Sequence, residues 1–326
     1  MAARRPPAVA RVLERVTKTA REYDMFQPGE LVLVSVSGGP DSVCLLYSLW
    51  HLRRLFRIRL AVFHFDHKLR ADSSKDAGYV RMLSDRLSLP YYVRVATDAP
   101  HRGQSPELWA RYHREHASAV LAREIGAERQ ADGHTLDDQA ETVLIALVRG
   151  WGLDGMSAIR PTGRIVRPLL DTPRSDVEAF CRSLHLRPRR DPTNRDLNLL
   201  RNAIRHEALP AIERATGRDV VPTFARAARL LRRDASALDA IAEGRAVEIV
   251  EFEDGRLSLR ARPLVDLHPA IASRVVRRAF RSIELPWSER SIEGILDLAR
   301  GRPGRTLDLG MGASARRTRT EVLIER

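Results

Sequence analysis

Cysteine is nearly absent from this chain: 326 residues contain two, Cys44 and Cys181, far apart and in no metal-spaced pair. Both lie in apolar, helix-like patterns and read as core residues, which excludes a disulfide framework. That usage suits a reducing compartment, and a cytoplasmic location is expected. No apolar run approaches the roughly 18 residues that a membrane-spanning helix requires, so no membrane association is expected. The first 23 residues are basic but have no apolar h-region, and they are not expected to be a secretory signal. Val9, Val12, Leu13 and Val16 instead follow helical spacing, with Glu14 on the polar side. Lysine is scarce as well: Lys18, Lys68 and Lys75 are the only three among 55 basic side chains. There is no GxxxxGK[ST] and no GxGxxG, so γ-phosphoryl transfer and dinucleotide binding have little support. Internal repeats and low-complexity tracts are also missing.

The hydrophobic share of 44% and charged share of 30% describe a globular chain, long enough for two domains. A net charge of +13 and a sequence pI near 10.7 favour a polyanionic partner, since each neutralised phosphate releases counterions. Abundant arginine and alanine can also reflect genomic base composition, so charge alone leaves nucleic-acid binding open.

Apolar runs alternate with helical patterns over the first half. Strands are expected at Leu31–Val36, Arg59–Phe65 and Tyr91–Ala96, and a more polar one at Glu128–Gly133. Helices are expected at Ser42–Phe56, Asp76–Leu87, Pro106–Ile125, Leu136–Val148 and Ser175–Leu186. The implied fold class is α/β, a doubly wound parallel sheet with ligands beyond the carboxyl ends of its strands. A long helical pattern from Val220 to Ala242 bridges to a smaller, partly helical C-terminal domain with strand-like pieces RLSLRARP, RTLDLG and TEVLIER. The expected division is residues 1–217 and 218–326.

Three constellations fall at strand ends. The first is Ser37-Gly38-Gly39-Pro40-Asp41-Ser42, between a strand and a helix. A turn alone accounts for Gly-Pro-Asp. The strand–loop–helix context adds free N–H groups and a helix dipole aimed at one spot, which makes a phosphate cradle the better reading. The second is HFDHKLRADSSKD, whose His64 and Asp66 are placed to reach a nucleotide base or ribose. His64, Asp66 and His67 also raise a metal site, but no fourth ligand is evident and magnesium prefers oxygen. The third is Gly133–Met156, where His134 ends a strand and Asp137, Asp138 and Glu141 open a helix. Such acids complement a helix dipole. Three of them with a histidine are more than capping needs; they can hold magnesium, bind an amine or take a proton.

Together SGGPDS, HFDHKLR, HTLDDQAET with RGWGLDGM, the RPLL at Arg167–Leu170 and DPTNRDLNLLRNAIRHEALP resemble the tRNA(Ile)-lysidine synthetase family of PP-loop ATP pyrophosphatases. The match in order and spacing covers about two-thirds of the chain; the last third resembles that family's tRNA-binding region in size and character. The resemblance implies an adenine nucleotide α-hydrolase-like fold, with ATP and Mg2+ as cofactors. Its partners would be L-lysine and tRNA(Ile) bearing a CAU anticodon, and a homodimer is left open. It implies adenylation of the wobble cytidine, displacement of AMP by the lysine ε-amine, and a change of tRNA identity from methionine to isoleucine.

On that reading Ser37, Gly38, Gly39, Pro40 and Ser42 hold phosphates, and Asp41 orients the loop or magnesium. Asp137, Asp138 or Glu141 meets an ammonium or removes its proton, because the amine is almost wholly protonated at pH 7. Arg111 or Arg114 faces a carboxylate or phosphate, His134 is among the substrate-binding residues, and Asn194, Arg201, Asn202 and Arg205 contact RNA. One departure stands out: where the family has ARxxRY, this chain has Ala110-Arg111-Tyr112-His113-Arg114-Glu115. Methionine tRNAs share the CAU anticodon, so contacts elsewhere on the RNA must discriminate, which gives the basic stretch Arg187–Arg205 and the C-terminal domain a role. The alternatives are a base-thiolating PP-loop enzyme, which paired cysteines would accompany, an ammonia-using ligase of small molecules, and a catalytically idle RNA-binding protein.

Overall fold

The computed structural model describes residues 5–68, 73–101, 103–189, 196–253 and 256–325. Asn194, and with it part of the arginine-rich stretch, lies outside the described residues. The chain divides into two compact units, one ending at Arg229 and the other running from Leu230.

The first unit holds a five-stranded sheet of β1 (Leu31–Ser35), β2 (Arg59–Asp66), β3 (Tyr91–Val95), β4 (Arg129–Ala131) and β5 (Ile165–Val166). Their order is β3-β2-β1-β4-β5 and every pair is parallel. Helices α1 (Pro7–Glu22), α2 (Pro40–Phe56), α3 (Ser73–Leu87), α4 (Pro106–Glu124), α5 (Leu136–Val148), α6 (Leu153–Met156), α7 (Arg174–Ser183), α8 (Leu200–Ala203) and α9 (Leu209–Thr216) surround it, with a π-helical turn at Ile204–Ala208.

Alternation along the strands explains why both faces are covered. On β1, Val32 and Val34 join a core with Val12 and Val16 of α1, Leu45 and Leu49 of α2 and Phe180 of α7. Leu33, pointing the other way, joins Phe63 of β2 and Trp109 and Leu121 of α4. Successive strand side chains face opposite sides, so a valine- and leucine-rich run serves both layers. Cys44 and Cys181 are buried, unpaired thiols. Burial pushes Cys44 well above the ordinary thiol range and Cys181 up to about 12.

The strand order reverses between β1 and β4, which are neighbours in the sheet but not consecutive in the chain. The crevice this opens is where doubly wound sheets bind ligands. β4 is only three residues long and includes Gln130, whose side-chain oxygen accepts from buried Ser118 at 2.7 Å. That buried hydrogen bond is why the segment looks polar yet sits in the sheet.

Helix α10 (Val220–Ile249) is longer than the expected Val220–Ala242 and passes through the point where the units divide. The second unit carries an antiparallel sheet of β6 (Val250–Glu253), β7 (Arg256–Arg260), β8 (Thr306–Gly310), β9 (Ala313–Arg317) and β10 (Glu321–Glu325), ordered β6-β7-β10-β9-β8. Its other helices are α11 (Ala261–Val265), α12 (Pro269–Ser282) and α13 (Glu289–Arg300). The expected strand piece RLSLRARP stops at Arg260, where the chain turns into α11. Val275, Val276 and Phe280 of α12 and Ile295 of α13 pack on Leu257, Leu259, Val322 and Ile324 of the sheet.

Candidate active site

The loop after β1 is built as a cradle. Gly38 has φ +94°, a left-handed conformation that glycine adopts without strain. Its carbonyl accepts from the Arg189 N–H at 2.9 Å. Gly39 caps α2 with Pro40 just inside the helix, so the first-turn N–H groups stay open toward the crevice. The Ser37 and Ser42 hydroxyls lie 3.2 Å apart, and Ser42 Oγ also donates to the Gly39 carbonyl at 3.0 Å. The loop carries no basic side chain of its own, so it offers an anion backbone donors and hydroxyls, with the Arg189 side chain against Gly38 and Arg174 beside Asp41.

His64 lies buried two residues before the end of β2, with Nδ1 at 2.8 Å from the Val36 carbonyl. It ties β2 to the root of the loop. Asp66 is buried too, and its Oδ1 accepts from the Lys68 N–H at 2.9 Å. His67 packs against the rings of Phe65 and Trp109. Burial, with Arg114 and His64 nearby, pushes it down to about 4.

From β4 the chain runs through Gly133 directly against the α2 N-terminus. A Cβ at Gly133 would lie 3.0 Å from the Asp41 carbonyl carbon and oxygen and 3.1 Å from the Ser42 nitrogen. The two loops touch there, backbone to backbone. Replacing Gly133 with alanine is therefore expected to destabilise the protein by about 1–3 kcal/mol. It should also weaken ATP binding, measurable by denaturant titration and by equilibrium dialysis of nucleotide.

Beyond Gly133, the acids divide into different tasks. Asp138 Oδ2 accepts from the Thr135 N–H at 2.8 Å and from the Thr135 hydroxyl at 2.9 Å. That half of the carboxylate is a helix cap. Its Oδ1 accepts from Arg174 at 3.2 Å and Arg205 at 3.5 Å. Burial alone would raise Asp138, but Arg174, the Thr135 N–H and Arg201 together hold it below its usual range. Glu141 is 0% exposed and is gripped by Arg205 at 2.6 and 3.0 Å and by Arg174 at 3.3 Å. Asp137 Oδ2 accepts from the Arg174 backbone N–H at 2.8 Å, and Asp137 lines a cavity of about 580 Å3 with Glu141, Arg174 and Arg205.

Asp41 differs from these. Arg174 Nε stands 3.9 Å from its Oδ2, while its Oδ1 is buried with no hydrogen-bond partner. Burial, opposed by Arg174 and assisted by Asp138, pushes Asp41 up to about 7. A buried carboxylate oxygen without a donor, at the mouth of a phosphate cradle, fits a hard divalent cation. His134 is the reverse: its Nδ1 accepts from Arg167 Nε at 3.2 Å, and burial holds it down at about 4, so it is neutral.

The acids after Gly133 and the Ser37–Ser42 loop thus converge, while the candidate arginines divide between the α4 helix and the acid cluster itself. Arg111 forms an ion pair with Glu115 at 2.8 Å, so the departure from the family pattern supplies Arg111 with a partner. Arg114, on the same helix, lies within electrostatic range of His67, His134 and Arg167. Arg205 turns inward onto Glu141 and Asp138, and Arg201 donates to the Thr142 hydroxyl at 3.3 Å with Nε 3.7 Å from Glu141. Asn202 is buried, its amide donating to the Asp196 carbonyl at 3.0 Å. The hub of the cluster, Arg174, was not picked out in the sequence. A guanidinium in the first turn of α7, where the dipole disfavours a cation, was the available signal.

Comparison with known proteins agrees with this layout. The PP-loop domain family matches residues 9–212, and the TilS substrate binding domain matches residues 259–323. The chain is 38% identical over 289 residues to tRNA(Ile)-lysidine synthase of Symbiobacterium thermophilum, covering 83% of this chain and 59% of that one. The synthase of the same name from Solibacter usitatus is 35% identical, covering 90% of this chain and 67% of that one. For the Nostoc sp. synthase the figures are 34%, 74% and 71%. The chain thus spans about three fifths of the length of the first of these relatives. Among solved structures, the U34-tRNA thiolase NcsA from Methanococcus maripaludis superposes with a TM-score of 0.60 at 17% identity. That match covers 69% of this chain and 79% of the thiolase, and it speaks to the fold.

Proposed function

The chain belongs to the tRNA(Ile)-lysidine synthase family, and from that premise we propose that it joins L-lysine to the wobble cytidine of a CAU-anticodon tRNA(Ile), consuming ATP. The observation that supports this most is the backbone contact at Gly133, which brings the phosphate cradle and the acid-bearing helix α5 to one crevice.

The reaction follows from the groups involved. Cytosine has one exocyclic oxygen, so activation of the base runs through it. That oxygen attacks the α-phosphorus of ATP, the α–β bond breaks and pyrophosphate leaves into the Ser37–Ser42 loop. The lysine ε-amine then forms a C–N bond at the carbon that bore the oxygen, and AMP departs with that oxygen. Asp41, with its unpartnered Oδ1, is the residue to hold Mg2+, whose charge would offset that of the phosphates. Asp138 and Glu141 are occupied by arginines, so Asp137, facing the larger cavity, is the carboxylate placed to meet the ammonium and take its proton. The division of labour assigns catalysis to residues 1–217 and RNA discrimination to 218–326, consistent with the substrate-binding match at 259–323. A cytoplasmic location follows from the same reading.

A direct test follows AMP and pyrophosphate with magnesium-ATP in the presence and absence of RNA and lysine. Steady AMP formation is expected only with both. AMP formed from ammonia and a small acceptor without RNA would move the small-molecule ligase to the front.

A further inference from the structure

A second cavity in the first unit, about 430 Å3 in volume, is lined by Arg111, Arg160, Arg164, Arg167 and Arg201, and none of its lining residues is acidic. The loop Ser37–Ser42 contributes nothing to it. Two of the five arginines form ion pairs within 4 Å, Arg111 with Glu115 at 2.8 Å and Arg201 with Glu141 at 3.7 Å, and Arg167 lies within electrostatic range of Asp132 and Glu115. Glu141 is already shared with Arg174 and Arg205. Arg160 and Arg164 are exposed and have no acidic partner among the described residues.

The arrangement is held in place by backbone. Arg160 and Arg164 flank a turn whose Gly163 has φ +143°. The Arg167 N–H donates to the Pro161 carbonyl at 2.9 Å, and its guanidinium donates to the Arg160 carbonyl at 2.8 Å. Burial, opposed by Asp132 and Glu115 and assisted by Arg111 and Arg114, holds Arg167 below its usual range, so five guanidinium groups share this cavity with few acids near them. Such crowding is unfavourable until an anion enters, and guanidinium forks match phosphate oxygens in pairs.

We propose that this cavity seats the RNA backbone, taking consecutive phosphodiesters of the strand that carries the reacting base, with Arg160 and Arg164 as phosphate contacts. The inference rests on the functional reading above. Arg167 Nε meets His134 Nδ1 at 3.2 Å, and Arg201 meets Thr142 of α5, so the cavity borders the crevice. Five arginines exceed what one phosphate uses. The nucleotide's own phosphates have the cradle after β1.

The test is the double variant Arg160→Gln/Arg164→Gln, with Arg160→Glu as a stronger perturbation. Binding of a CAU-anticodon tRNA(Ile) transcript is measured across a salt series, and ATP binding without RNA by equilibrium dialysis. The double variant should bind RNA about tenfold more weakly at low salt. Its slope of log affinity against log salt should shrink by about 1.4, roughly 0.7 per lost contact to a single strand. ATP affinity and Tm should be unchanged, since both side chains are exposed. An unchanged slope and Kd in folded protein would overturn the proposal. So would a parallel fall in ATP affinity, which would assign the cavity to nucleotide phosphates. If the wild-type protein ligates lysine while the double variant keeps its slope, only this inference falls. If the wild-type protein binds no RNA, the functional reading falls with it.

Discussion

Replacing Arg174 with alanine is expected to cost about 3–5 kcal/mol of stability at neutral pH, the usual penalty for removing one partner from a buried ion network. Arg174 reaches Asp138 at 3.2 Å, Glu141 at 3.3 Å and Asp41 at 3.9 Å, and its backbone N–H serves Asp137. Without it, four carboxylates crowd together with Arg205 and Arg201 as the cations left beside them. The loss should depend on pH in a definite direction. Asp138 is held below its ordinary range by Arg174, so its favourable contribution exists above the unfolded carboxylate pKa and disappears as pH falls through the folded one. The gap between variant and wild type is therefore largest near pH 7–8 and narrows toward acid. Denaturant unfolding at a series of pH values measures it. Lysine at position 174 should recover only part of the loss, because a point charge cannot serve three carboxylates as a planar fork does. A loss below about 1 kcal/mol at neutral pH would mean that Arg205 alone neutralises the cluster.

Asp41→Asn should act in opposite directions on stability and activity. Burial raises Asp41 from 3.8 to about 7 in the folded protein. Between those values the native state binds more protons than the unfolded one, so stability falls as pH rises through the window and stays low above it. At pH 8, in EDTA and without nucleotide, asparagine should remove up to about 4 kcal/mol of that penalty, and with it the slope between pH 4 and 7. Activity should drop by about 100-fold or more, the scale seen when a charged group serving the transition state is removed. A variant that is more stable and also fully active would exclude Asp41 from the reaction.

The parallel sheet was legible because its central strands are buried on both faces. Runs such as LVLV and LAVFHF need no partner to be read as interior strands. β5 was not legible: two residues carry no periodicity, and only pairing with Gln130 and Ala131 makes them a strand. In the second unit the strand-like pieces at 306–310 and 321–325 could be read. β9 (ASARR) could not, since its buried face consists of two alanines, Ala313 and Ala315.

The site divides along the same line. Ser37–Ser42 and the Asp137–Glu141 cluster are local motifs, visible as spelling. The ion pairs that decide which carboxylate is available join Asp138 and Glu141 to Arg174, Arg201 and Arg205, more than 30 residues away in each case. Nothing in local pattern specifies them. The proposal that Asp137 meets the amine therefore rests on these long-range contacts.

The measurement that tests the account most directly is mass spectrometry of the digested tRNA product. The protein is incubated with magnesium-ATP, L-lysine and an unmodified tRNA(Ile) bearing CAU, and in parallel with an elongator methionine tRNA that shares the anticodon. Lysine on the wobble nucleoside of the isoleucine tRNA, and none on the methionine tRNA, is the predicted result. Folded protein that leaves both wobble cytidines unmodified, with no AMP or pyrophosphate released, would contradict it.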